Sequence, residues 1–223
     1  MRPNLQQFKA ITSGIEMIAP VNLISDIIHV SAYNSHISPE SFAINSVLAF
    51  NIYKYDRYRD AQEAKDEDIT EFYDSIIKNK NSIEFLLFSS SISAIILLMY
   101  YDMYIILPVY LSSFLYKNVK TLNFPLKPFY VSSLWTISTC IIPEYNDANF
   151  LACLSVFMSI FSLTNLADIS DYNEDIKYNV SSLPTTLGIN ETICTCYMTS
   201  LLSIYSFINL EYFSNSFYEY IYI

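Results

Sequence analysis

Five aspartates in two groups are the residues of this chain best suited to chemistry. Asp168, Asp171 and Asp175 follow one another at spacings of three and four, and Asp56 and Asp60 are four apart. On a helix these spacings bring side chains onto one face, where like charges repel by some tenths of a kcal/mol per pair. A divalent cation removes that repulsion. Mg²⁺ takes carboxylate oxygens and leaves its remaining positions to water and substrate phosphates. Two carboxylate banks suit a diphosphate held through two metals, with Asp168, Asp171 and Asp175 expected on one and Asp56 and Asp60 on the other.

A diphosphate also needs positive charge to meet the negative charge that grows as its C–O bond breaks, and such clamps are usually the largest catalytic term. Tyr116, Lys117, Lys120 and Lys127 stand together between the two acidic groups. Lys117 and Lys120 are the candidates for the diphosphate, Lys127 for substrate binding and Tyr116 for substrate contact; the same lysines also suit a role in setting topology. Asn51 is a further substrate-binding candidate. It lies five residues before Asp56, a rotation of roughly 140° beyond one full turn, so on a regular helix it points away from that carboxylate.

The elements that must position these residues are membrane helices. The chain has 223 residues, 52% hydrophobic and 15% charged, with two glycines; a soluble domain carries roughly 25% charged residues. Twelve Lys+Arg against 22 Asp+Glu leave no basic footprint, which excludes a nucleic-acid binder. Apolar stretches long enough to count as spans or near-spans fall at 11–30, 41–53, 82–116 (two short helices with a tight turn near Tyr101 and Asp102), 129–143, 148–166 and 192–210. The expectation is an all-α transmembrane bundle of about seven segments. Lys and Arg sort into the N-terminus and alternate loops (54–80, 117–127 and Lys177), while the intervening loops have none. By the positive-inside rule the N-terminus and the active-site loops lie on the cytoplasmic side or its organellar equivalent. The first thirteen residues have no signal-peptide pattern. Cys140, Cys153, Cys194 and Cys196 lie in apolar runs and read as small buried residues. His29 and His36 lie far from the acidic groups.

The second acidic group continues as Asp175-Ile-Lys-Tyr-Asn-Val-Ser-Ser-Leu-Pro184-Thr-Thr-Leu-Gly188. This closely resembles the second aspartate motif of the UbiA superfamily of intramembrane prenyltransferases, in which a DxxDxxxD run leads through a glycine turn to Leu-Pro-x-x-Leu-Gly. Asp168, Asp171 and Asp175 match the aspartates, and Leu183, Pro184 and Gly188 match the tail. Asn179 stands where the family has glycine, and Asn is the next-best residue for a left-handed backbone. The stretch 116–128 is similar to the family's basic loop. The resemblance covers roughly residues 40–200.

The first motif departs from the family pattern, which places Asn four residues before the aspartate rather than five, and the following Arg-Pro pair is absent. Family members have nine membrane helices, so the 1–223 single domain expected here lacks the last ones. The resemblance implies Mg²⁺-dependent transfer of a prenyl group from a polyprenyl diphosphate to an acceptor within the lipid bilayer. An apolar, aromatic-lined pocket would shield the allylic cation from water. A membrane terpene synthase of the same superfamily and a non-catalytic isoprenoid-binding paralogue are the alternatives.

Overall fold

The computed structural model describes residues 5–33, 35–64, 70–115, 118–119, 125–142, 149–177 and 179–221. Every regular element among them is helical. In order these are α1 (Leu5–Thr12), a 3₁₀ turn (Ile15–Met17), α2 (Ile18–Tyr33), α3 (Pro39–Glu63), α4 (Glu71–Lys78) and α5 (Lys80–Tyr100). A second 3₁₀ turn (Tyr104–Ile106) precedes α6 (Leu107–Ser113); then come α7 (Lys127–Thr136), α8 (Phe150–Ser170), α9 (Tyr172–Lys177), α10 (Leu183–Leu187) and α11 (Ile189–Ile221).

Four helical stretches among the described residues are long and apolar enough to cross a membrane: Ile15–Tyr33, Lys80–Tyr100, Phe150–Ser170 and Ile189–Leu210. The sequence suggested about seven. The other candidates form helices that fall short for visible reasons. α3 continues through Lys54, Asp56, Arg57, Arg59 and Asp60, so its length is charged rather than apolar. α6 has 7 residues. α7 and its continuation to Ile141 together rise roughly 22 Å, against a hydrocarbon core of about 30 Å. The spanning helices carry large apolar side chains outward, including Phe85, Phe88, Ile96 and Met99 on α5 and Met198, Ile204 and Ile208 on α11. A soluble surface rarely tolerates patches of this kind; a bilayer accepts them.

The chain divides into two compact units, Met1–Asn22 with Pro39–Phe114, and Leu23–Ser38 with Leu115–Ile223. In the first, α3 is the organising helix. Its buried residues recur at helical spacing (Ser41, Ile44, Asn45, Leu48, Asn51, Lys54, Tyr58, Ala61), and it packs on α4 and α5 while α1 packs on α4. The apolar part of this core is Ala10, Tyr58, Ala61, Ile76, Ile83 and Leu87.

In the second unit α8 lies between α7 and α11. Its N-terminus is capped by Asn149, whose Oδ1 accepts from the backbone N–H of Leu151 at 2.9 Å. Ile28, Ala32, Cys140, Ala152, Val156, Ile160 and Leu210 form the core. α8 and α11 run antiparallel and are joined by small polar residues: Ser203 Oγ donates to the Ser155 carbonyl at 2.8 Å, and Ser162 Oγ donates to the Cys196 carbonyl at 2.9 Å. Both helices repeat these contacts after seven residues. Small side chains let the backbones approach closely, and hydroxyls bonded to carbonyls leave no polar atom facing hydrocarbon. Of the cysteines expected inside, Cys140 and Cys196 are buried, whereas Cys194 is exposed.

Past Thr136, α7 turns into a π-helical segment, Ile137–Ile141. The carbonyl of Thr139 there accepts a hydrogen bond from Ser25 Oγ of α2 at 2.9 Å. A π turn frees backbone groups from the regular ladder, and the buried serine of a neighbouring helix satisfies this one.

Two helices end in the same device. After α5, the N–H of Met103 donates to the Leu98 carbonyl and that of Asp102 to Met99, with Asp102 at φ 59°. After α9, Val180 donates to Asp175 and Asn179 to Ile176, with Asn179 at φ 53°. Both are Schellman caps, in which the residue past the helix is left-handed. The turn expected at Tyr101 and Asp102 is the first of them. The second puts a left-handed residue at the position where the sequence has asparagine in place of glycine.

Candidate functional site

The second acidic group occupies the C-terminal end of α8 and the turn beyond it. Asp168 is 1% exposed and Asp175 6%, while Asp171, the C-cap of α8, is exposed. The Schellman turn after α9 fixes the backbone beyond Asp175. The motif's tail then forms α10, started by a reciprocal Ser182–Thr185 capping box, with Leu183 and Pro184 buried. The tail thus anchors the turn against α8 and α11.

Lys127, the first residue of α7, forms an ion pair with Asp168 Oδ1, and both side chains are largely buried. Two residues that the sequence singled out separately, 41 apart, are therefore in direct contact. Asp171 and Asp175 are close enough to act on Asp168 electrostatically. Three buried acceptor oxygens in this region have no hydrogen-bond partner: Asp168 Oδ2, Asp175 Oδ2 and Asn165 Oδ1. Asn165, one turn before Asp168, gives its Nδ2 to the Phe161 carbonyl at 2.7 Å. Asn165 carries no charge and was not among the sequence candidates, although its spacing of three from Asp168 places it on the same face.

Buried polar atoms are rarely left unpaired, so three acceptors without donors suit a missing positive charge. An all-oxygen set with two buried carboxylates fits a hard cation such as Mg²⁺ in donor chemistry. The set differs from the expected trio: Asp171 faces outward, and among the described residues no three of His, Cys, Asp and Glu converge on one point.

The first acidic group lies in the other unit. Asp56 and Asp60 are half-buried on α3, off its buried stripe. Arg57 is held beside them, its Nη2 donating to Tyr53 Oη at 2.7 Å with the guanidinium 4.9 Å above the Tyr53 ring. Tyr73 of α4 has its hydroxyl pushed above the ordinary phenol range, first by burial and then by the carboxylates of Asp60 and Asp56, with Arg57 opposing. These two aspartates therefore share their surroundings with the Arg57 guanidinium and the Tyr73 phenol.

No family model, curated protein or solved structure matches the chain. The site has to be judged by its own chemistry. Asn51, a substrate-binding candidate, is completely buried between α3, α5 and α6. Its Nδ2 donates to Tyr110 Oη at 2.9 Å, and its Oδ1 accepts from Ser90 Oγ. The amide thus serves an internal network, on a different face from Asp56. Tyr116, Lys117 and Lys120 lie outside the described residues.

Lys54, which the sequence counted among the loop charges, is 1% exposed. It donates to the carbonyls of Ala10 and Ile11 and to Ser13 Oγ at the end of α1. Burial lowers its pKa to about 8, with the carboxylate of Glu16 opposing. No pattern of single residues announced this, because Lys54 is buried only through the packing of α1 against α3. A cleft of about 420 Å³ in the same unit is lined by Tyr58, Gln62, Ile76, Ile77 and Lys80; neither aspartate of the first group lines it.

Proposed function

We propose that this chain is an intramembrane prenyltransferase of the UbiA type, transferring a prenyl group from a polyprenyl diphosphate to an acceptor in the presence of Mg²⁺. The observation that carries the proposal is the buried Asp168–Lys127 pair with the unpartnered oxygens of Asp168 and Asp175 beside it. Ionisable groups buried inside a membrane bundle are functional candidates by default. When bound, Mg²⁺ would neutralise the diphosphate and favour its departure. Asp168 and Asp175 would hold the metal from inside the second unit, and Asp171 would complete the bank from the solvent side. Asp56 and Asp60 form the second bank. Lys117, Lys120 and Tyr116 are the proposed catalytic residues, the two lysines taking up the charge of the leaving diphosphate. The bundle has about seven membrane segments, with the N-terminus and the acidic groups on the cytoplasmic or equivalent side.

The binding-only alternative draws on one observation: the Asn51 amide is completely buried and bonded to Tyr110 and Ser90 inside the fold, not presented to a ligand. Incubating the purified protein in detergent with radiolabelled geranylgeranyl or shorter prenyl diphosphates, Mg²⁺ and a panel of aromatic acceptors separates the readings. Prenylated acceptor marks a transferase, a cyclised hydrocarbon marks a terpene synthase, and retention of unreacted diphosphate marks a binding protein. Neither turnover nor retention with any chain length would remove the isoprenoid reading.

A further inference from the structure

We propose that Lys127 is a resident counter-ion of the second acidic bank, which a divalent cation must displace. This rests on the metal reading given under Proposed function. Asp168 and Asp175 bring two buried negative charges, and Lys127 returns one positive charge. The pair is therefore under-neutralised by one charge, and a divalent cation in place of the ammonium brings it to zero. Hydrogen bonding agrees with the charge count. The ammonium is bonded to one oxygen of Asp168, while Asp168 Oδ2, Asp175 Oδ2 and Asn165 Oδ1 stay without donors.

Two helix ends shape this competition. Asp168 lies in the last turn of α8, where the backbone carbonyls already make the potential negative and a cation is favoured. Lys127 opens α7, followed by Pro128 in its first turn, so its backbone belongs to the positive end of that helix. A lysine so placed is attracted by Asp168 and disfavoured by its own helix. Its four-carbon stem lets the ammonium leave without moving α7. Once displaced, the ammonium is free to pair with an anionic group of the substrate, which would couple metal arrival to substrate binding. Asn165, one turn before Asp168 on α8 and with its Oδ1 unpartnered, would supply a neutral third oxygen to the same site.

The test is Mn²⁺ binding to the full-length protein in detergent, followed by electron paramagnetic resonance of the free ion. Removing a competing cation should tighten binding, so Lys127→Gln is expected to lower the Mn²⁺ dissociation constant about tenfold or more, and Lys127→Arg to leave it within about threefold of wild type. Asn165→Leu should weaken binding by about tenfold. A purely structural lysine predicts the reverse for Lys127→Gln, because a disordered site binds metal more weakly. Wild-type-like or weaker binding by Lys127→Gln overturns the inference while leaving the metal reading intact. Absence of Mn²⁺ binding in both wild type and Lys127→Gln removes the metal reading itself. Should Lys127→Gln fold only with metal, the Mn²⁺ concentration giving half-recovery of monodisperse protein replaces the dissociation constant and should lie below the wild-type value; no recovery at any concentration overturns the inference.

Discussion

Lys54 Nζ lies 2.9 Å from the carbonyl oxygen of Ile11, so a side chain of α3 closes the C-terminal end of α1. Its pKa of about 8, against 10.5 for a free lysine, ties the stability of the first unit to pH. Between these values the unfolded chain binds more protons than the folded one, so this group makes stability rise with pH across that window, by about 3 kcal/mol at most. Lys54→Met removes the effect. The melting temperature of wild type minus that of Lys54→Met should rise from pH 7 to pH 10, whichever of the two is the more stable at pH 7; a constant or falling difference would show that the ammonium is not buried as described.

Removing Asn51 should cost stability more than activity. Asn51→Ala deletes the acceptor for Ser90 and the donor to Tyr110 in a completely buried position, a loss of about 1–3 kcal/mol. Asp56→Ala and Asp171→Ala should instead abolish Mg²⁺-dependent turnover with little change in melting temperature, since both residues are partly or fully exposed. Comparing thermal denaturation with prenyl transfer for the three variants checks this. Full transfer by Asp171→Ala would end the two-metal mechanism.

The α8–α11 contact should be sensitive to size rather than to polarity. Ser203→Ala loses hydrogen bonds worth roughly 0.6 kcal/mol each in a membrane bundle. Ser203→Leu places a branched side chain where Ser155 and Ser159 now meet it at 3.3 and 2.6 Å. Overpacking of this kind costs about 1–3 kcal/mol. Melting curves in detergent should rank wild type, then alanine, then leucine.

At the turn after α9, Asn179→Gly should be neutral or slightly stabilising, and Asn179→Val should cost about 1–2 kcal/mol, because a β-branched residue resists a positive φ. Activity should fall with the valine variant alone, through displacement of Asp175. Equal melting temperatures for all three proteins would argue against a left-handed residue there.

Much of this architecture was legible in the sequence because its signals are local. The helical class, the turn at Tyr101 and Asp102, and the left-handed tendency of Asn179 follow from apolar run length and from backbone preferences at single positions. The contacts inside the units were not legible, because they depend on partners far away in sequence. Lys127 was recognised as part of a basic loop and Asp168 as part of a motif, but only packing of α7 on α8 joins them. Lys54 looked like one more loop charge until α1 covered it. The number of spans was not legible, because an apolar stretch of ten to fifteen residues looks the same whether it crosses lipid or packs inside the fold.

The chain keeps only two glycines, Gly14 at φ 105° and Gly188 at φ 103°, while Asp102 and Asn179 occupy φ 59° and 53°. The division follows conformational reach. Polar residues with short side chains enter the left-handed well near φ 57°, but a φ above 100° is hardly accessible to any side chain. A Cβ at Gly14 would also come within 2.9 Å of the Phe50 carbonyl oxygen. All the glycine in this chain is therefore spent on two backbone geometries that a side chain would strain.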